Sequence, residues 1–154
     1  MRFRLVAVGR PRDASMAAAI AEYERRASRY WPLEVVEVRE GGSGSRDAAD
    51  VMRREGEQLL TRAGAGILVA CDERGESFGS VQFSAMMQRW REDARDVSFV
   101  LGGAHGLSEE VRQRADRRIS VAPWTLPHDL ARLVLAEQLY RAGTLQRGEP
   151  YHKS

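Results

Sequence analysis

Several things are scarce in this chain. Its 154 residues include one cysteine, Cys71, and one lysine, Lys153. A single thiol excludes an internal disulfide and fits a reducing compartment, so a cytoplasmic location is expected. Nothing approaches the roughly 18 consecutive apolar residues of a membrane span. The start, MRFRLVAVGR, carries too short an apolar run for a secretory signal and reads as a first strand. Three scattered histidines and one cysteine show no metal-ligand spacing, so no metal site is expected. Two phosphate-binding signatures are also missing. No Lys follows the glycines of "FVLGGAHGLS" (residues 99–108), as a P-loop requires. Nor does the chain carry G-x-G-x-x-G after its first strand, where a dinucleotide fold would place it.

What is present suits one domain spanning 1–154, long enough to bury a core without staples. The hydrophobic share is 43% and the charged share 30%, ordinary for a globular protein. Formal net charge is only +2, yet of 24 basic residues all but Lys153 are arginine. Arginine is the side chain best suited to phosphate recognition and base stacking. Mild basicity permits a nucleic-acid partner without requiring one.

Apolar, β-rich runs recur at Phe3–Val8, Leu33–Val38, Gly66–Cys71, Val97–Leu101 and Ile119–Val121. Helical patterns lie between them. Ile20, Tyr23, Ala27 and Tyr30 step by three and four on a helix starting near Asp13. Asp50–Arg62 and Ser80–Arg95 read as helices, and Ser108 is a good N-cap before Glu109 and Glu110. A last helix opens at Thr125 or Pro127 and runs to about Ala142, with Gly143 as its expected C-cap. Strands alternating with helices predict an α/β fold with a parallel sheet covered on both faces. "EGGSGS" (Glu40–Ser45) reads as a loose loop. The last helix is apolar on more than one stripe, through Leu130, Leu133, Val134, Leu135, Ala136, Leu139 and Tyr140. Such a helix is either central to the core or part of a subunit interface, and the interface is the favoured reading.

With phosphate cradling disfavoured, the glycine loop keeps two readings. Adjacent glycines at a strand end let another segment or a ligand approach closely, or they simply make a turn. Ligands in open α/β sheets sit at the strands' carboxyl ends. Cys71-Asp72-Glu73 and Val121-Ala122-Pro123-Trp124-Thr125-Leu126 fall on that same edge. The three together suggest a pocket for a flat, uncharged ring such as adenine.

The run "TLPHDLARLVLAEQLYRAGTLQRGEPYHKS" (Thr125–Ser154), preceded by "FVLGGAHGLS", resembles the RlmH family of ribosomal RNA methyltransferases, the small single-domain branch of the SPOUT superfamily. "RLVAVGR", "AEYERR" (Ala21–Arg26), "EGEQLL" (Glu55–Leu60) and "CDERGESFGS" (Cys71–Ser80) match as well, so the resemblance covers the whole chain. It implies a SPOUT-type sheet flanked by helices with a C-terminal trefoil knot, and a homodimer. It implies S-adenosylmethionine as methyl donor, and transfer to N3 of a pseudouridine in 23S rRNA of the assembled ribosome, with no membrane and no DNA partner. Carried across by position, the cofactor pocket falls on Cys71, Gly102, Gly103 and Val121, Ala122, Pro123, Trp124, Thr125 and Leu126. In that reading Gly102 and Gly103 make room for the cofactor and a knotted chain. A rival reading is a non-catalytic ribosome-binding factor on the same fold.

The resemblance also brings the C-terminal tail to the active site, across the dimer. His152 is then a catalytic or substrate-positioning candidate, since histidine titrates near neutral pH. Tyr151 is placed to stack on a base, and Arg141 to hold a phosphate or the uracil edge. Frayed chain ends and solvated helix-end arginines are the plain alternatives. His128 reads as structural and His105 as incidental. The arginines at 112, 114, 117 and 118 form either a solvated face or a contact with rRNA phosphates.

Overall fold

A computed structural model describes residues 1–42 and 47–153. Half of the Glu40–Ser45 loop, residues 43–45, therefore lies outside the described residues. The elements in chain order are β1 (Phe3–Val8), α1 (Ala14–Ser28), β2 (Leu33–Val38), α2 (Ala48–Ala63), β3 (Ile67–Glu76), α3 (Ser80–Glu92), β4 (Val97–Leu101), α4 (Glu109–Arg114), β5 (Arg117–Ile119) and α5 (His128–Gln146). The five strands form one parallel sheet in the order β2-β1-β4-β3-β5.

Side-chain alternation along β1 divides the core. Phe3, Leu5 and Ala7 point to one face, where Trp31, Met87, Trp90, Leu135 and Leu139 join them from the α1 end, α3 and α5. Val6 and Val8 point to the other, with Leu59 of α2 and Leu107 and Val111 around α4. A strand buried on both faces reads as a continuous apolar run, as it does here. The helix starts have local causes. The Asp13 carboxylate accepts the Met16 amide at 2.8 Å, and Asp47 accepts that of Ala49 at 3.1 Å. Asp47 thus opens α2 ahead of the expected Asp50. Ser108 caps α4 by accepting the Val111 amide at 3.3 Å. Helix α3 stops at Glu92, short of Arg95, and the chain turns through Ala94 in the left-handed region at φ 52°.

Three expectations change. Strand β3 runs on to Glu76 around a bulge, with both Cys71 and Glu76 opposite Ile119. Gly75 makes this possible, because a Cβ there would stand 2.6 Å from the Ile119 backbone. Strand β5 is Arg117–Ile119 instead of Ile119–Val121. Its start is pinned by Asp116, whose amide donates to the Leu68 carbonyl while its carboxylate accepts the Leu68 amide, both at 2.8 Å. Gly143 is not a C-cap. It is buried within α5, and a Cβ there would stand 2.3 Å from Cγ of Tyr30. The glycine is needed for close packing, and the helix continues to Gln146.

Helix α5 packs between α1 and α3. Leu135, Ala136, Leu139 and Ala142 are buried there. That accounts for one apolar stripe within the chain itself. Leu130, Leu133 and Val134 are half-buried and belong to neither core cluster.

Candidate active site

A cavity of about 610 Å³ opens at the carboxyl ends of β3, β4 and β5. Three chain segments wall it: Cys71–Glu73, Leu101–Leu107 and the Val121–His128 loop leading into α5. Of the expected cofactor contacts, Cys71, Gly102, Gly103, Val121, Ala122, Trp124, Thr125 and Leu126 all line it. Pro123 is exposed and does not. Trp124 stands 78% exposed at the mouth. The Thr125 hydroxyl donates to Glu73 Oε2 at 2.6 Å, tying the third segment to the first.

The glycines allow the close approach of another segment, one of the readings the sequence left open. A Cβ on Gly102 would stand 2.5 Å from the Gly106 carbonyl carbon, and one on Gly103 would stand 3.0 Å from both Glu55 carboxylate oxygens. The loop folds back on itself, with the Gly106 amide donating to the Gly103 carbonyl at 3.0 Å and Gly106 at φ +84°. Both glycines are needed for the loop's own return and for what lies behind it.

Two polar residues of the wall pair with each other. Asp72 is buried, and its Oδ2 accepts from Arg112 Nε at 2.8 Å. Arg112 therefore stands apart from the surface arginines it was grouped with. The only signal for Asp72 was an acid ending an apolar strand. Burial pushes the Cys71 thiol up to about 12, so it presents a neutral wall. His105 lines the cavity after all, as does the half-buried His128, whose Nε2 lies 3.4 Å from Asp129 Oδ1. Among the described residues, no cluster of three or more His, Cys, Asp or Glu could hold a metal.

The tail candidates come together, but elsewhere. Glu137 Oε1 accepts from Arg141 Nη2 at 2.6 Å and from the Tyr151 hydroxyl at 2.9 Å. Arg141 lies over the Tyr151 ring at 4.7 Å and reaches Nδ1 of His152 at 3.2 Å. A guanidinium only donates, so Nδ1 accepts and the ring proton sits on Nε2. Burial, with hydrogen bonds to Tyr23 and Glu137, pushes the Tyr151 phenol well up, so it stays protonated. The hydrogen bond to Glu137 raises Arg141 despite some burial. Glu137, the hub of this group, was not picked out in the sequence. Its place one turn before Arg141 was the available signal. Arg141 lies thirteen residues beyond His128 on α5, about 20 Å at a rise of roughly 1.5 Å per residue. Within one chain, the tail group and the cavity are separate.

This cavity lies outside the third to fifth strands of a parallel sheet, with a C-terminal helix leading away from it. The family described as "Predicted SPOUT methyltransferase" matches residues 1–152. The chain belongs to the SPOUT methyltransferase family. Within it, the chain belongs to the RlmH group. A protein of Gemmatimonas aurantiaca named "Ribosomal RNA large subunit methyltransferase H" is 57% identical, over 99% of this chain and all of that one. An Anaeromyxobacter protein of the same name is 49% identical over 99% of this chain and all of its own length. Among solved structures, a probable methylase family protein from Haemophilus influenzae aligns over 99% of this chain and 70% of its own, at TM-score 0.57 and 12% identity. TrmJ from Z. mobilis aligns over 99% and 73%, at TM-score 0.54 and 16% identity. At such identities these two speak for the SPOUT fold alone.

Proposed function

We propose that this chain is a single SPOUT domain that transfers a methyl group from S-adenosylmethionine to N3 of a pseudouridine in 23S rRNA of the assembled ribosome. The observation that carries the reading is the three-walled cavity, where the residues marked by family resemblance converge. Its volume falls within the roughly 300–1,000 Å³ usual for small-molecule sites. Its apolar wall of Leu101, Val121, Ala122 and Leu126 suits an uncharged purine, while Asp72 and Arg112 supply polar contacts. These residues fit the cofactor. When bound, it supplies an activated sulfonium methyl. Cys71, Leu101, Val121 and Leu126 would hold it, N3 of the base would take the methyl group, and the N3 proton would pass to solvent water.

The protein's share is alignment and desolvation. His152 keeps its Nε2–H for the base, while the Tyr151 hydroxyl is spent on Glu137, so Tyr151 acts by presenting its ring to the base. Because they lie far from their own cavity, we read the active form as a homodimer in which one protomer's tail meets its partner's cavity. The half-buried stripe of Leu130, Leu133 and Val134, leading towards Glu137 and Arg141, supplies a face for a second copy. The C-terminal knot is part of the same reading. It is supported by the close backbone approach at Gly75 and by the return of loop 120–127 beside the Gly102–Gly106 loop. The cytoplasm is the matching location, and among the described residues no helix is long and apolar enough to cross a membrane. The non-catalytic alternative is not favoured, since the full-length relatives are named methyltransferases. The deciding test incubates the protein with methyl-labelled S-adenosylmethionine and ribosomes lacking the modification. Label in 23S rRNA, at N3 of one pseudouridine, is expected, and its absence overturns the reading.

A further inference from the structure

A second, smaller cavity of about 240 Å³ lies on the other side of the Gly102–Gly106 loop. It shares Gly103, Ala104, His105 and His128 with the first and is otherwise lined by different residues. Arg10 and Arg12, just past β1, stand at its rim, 90% and 83% exposed. Arg10 lies 3.7 Å from Glu37, and Arg12 donates to Glu40 at 2.8 Å. Strand order places this cavity where β1 and β4 meet. There the chain's progress across the sheet reverses, which is where open α/β sheets hold ligands.

Its inner wall contains Glu55, only 3% exposed. Oε2 accepts the Gly41 amide at 3.0 Å, while Oε1 is buried with no hydrogen-bond partner among the described residues. A buried acceptor left unmatched is unfavourable and is normally met by a donor. Gly103 lies directly against the carboxylate, since any Cβ there would press on both its oxygens. The site thus combines a hydrogen-bond acceptor in its wall, cations at its rim and a shared boundary with the methyl-donor cavity.

We infer that this second cavity receives the target nucleoside, and that Oε1 of Glu55 accepts a hydrogen bond from N1–H of pseudouridine. This rests on the reading of the substrate given above. In pseudouridine the ribose is attached at C5, so N1 carries a hydrogen. In uridine N1 carries the ribose and has no hydrogen to give. N1 and N3 flank one carbonyl, so a base turned with N3 towards the first cavity directs N1–H to the side. The base leaves its stack to enter, as enzymes acting on bases require. The rim arginines exchange their carboxylate partners for the flanking phosphates. Glu55 is then a specificity-determining residue, reading the one ring donor that separates the two nucleosides.

The test compares the wild-type protein with Glu55→Gln, which keeps an oxygen for the Gly41 amide. Each is given ribosomes carrying pseudouridine at the target and ribosomes carrying uridine there. The wild type should prefer pseudouridine. The variant should bind S-adenosylmethionine as the wild type does, lose roughly 10- to 100-fold in kcat/KM on pseudouridine, and lose the preference. An unchanged kcat/KM and preference in a cofactor-binding variant overturn the inference. A second measurement needs no variant and no turnover. Wild-type protein saturated with S-adenosylhomocysteine is titrated with pseudouridine or uridine 5′-monophosphate and followed by amide NMR. Shifts at Gly41 and Gly103 with pseudouridine alone are expected, and equal or absent shifts overturn it. If the wild type labels neither kind of ribosome, the methylation reading fails on its own, and the titration still decides the cavity.

Discussion

Arg132 carries a charge into the interior where α1, β2 and α5 meet, only 5% exposed. Burial works against its charge, yet hydrogen bonds to Glu24 at 2.9 and 3.1 Å and to Glu37 at 2.7 Å outweigh it and raise its pKa. Removing one member of such a group leaves an uncompensated buried charge. Arg132→Ala should therefore lower stability by about 3–5 kcal/mol, measured by urea denaturation. Arg132→Met with Glu24→Gln should recover part of that loss. The tail residues call for a kinetic test instead. His152→Ala and Tyr151→Phe should leave the calorimetric affinity for S-adenosylmethionine unchanged. Each should cut kcat/KM on ribosomes by roughly 100-fold, the cost of a small misplacement at a reacting centre. Ordinary turnover by either would remove these side chains from the active site.

Helix α5 joins the two halves of the proposed site, with His128 at the cavity and Arg141 under the tail. Its seating on α1 depends on Gly143 lying flat against Tyr30. Gly143→Ala forces the helices apart and should cost about 1–3 kcal/mol in chemical denaturation, typical of overpacking. An unaltered midpoint would mean that the contact yields freely. The division of labour between protomers is testable by mixing. A protein lacking residues 151–154 and a Gly102→Val protein, whose loop cannot close, should each be inactive. Unfolded together and refolded, they should regain turnover, because a mixed dimer contains one intact cavity facing one intact tail. No recovery would place tail and cavity in the same chain.

The whole molecule should weaken in alkali. The folded state holds the Cys71 thiol up to about 12 through burial, and the Tyr30 phenol up to about 12 through its hydrogen bond to Glu149 and burial. Tyr151 is pushed up likewise. Unfolded, a thiol ionises near 8.5 and a phenol near 10. The stability from these groups is complete below the unfolded values and is lost as pH rises from about 9 towards 12. Melting temperature should fall from pH 8 to pH 10.5, and fall less in Cys71→Ala. Much of this architecture was legible. Apolar strand runs, the Asp13 and Ser108 caps and the three strand-end segments all stand in the sequence as local patterns. What escaped depends on distant partners. Gly143 read as a cap because Tyr30, more than a hundred residues away, cannot be seen from its neighbours. Glu55 and Glu137 carry no local pattern that marks them, and only folding buries the first and gives the second its partners. The Gly102–Gly106 loop belongs to the same class, since its glycines answer to Glu55 and to one another. Its residues Gly103, Ala104 and His105 form a margin that both cavities share. A push on one face is felt on the other, so the occupants of the two chambers should influence each other's binding. Thermodynamics requires that influence to be equal in both directions.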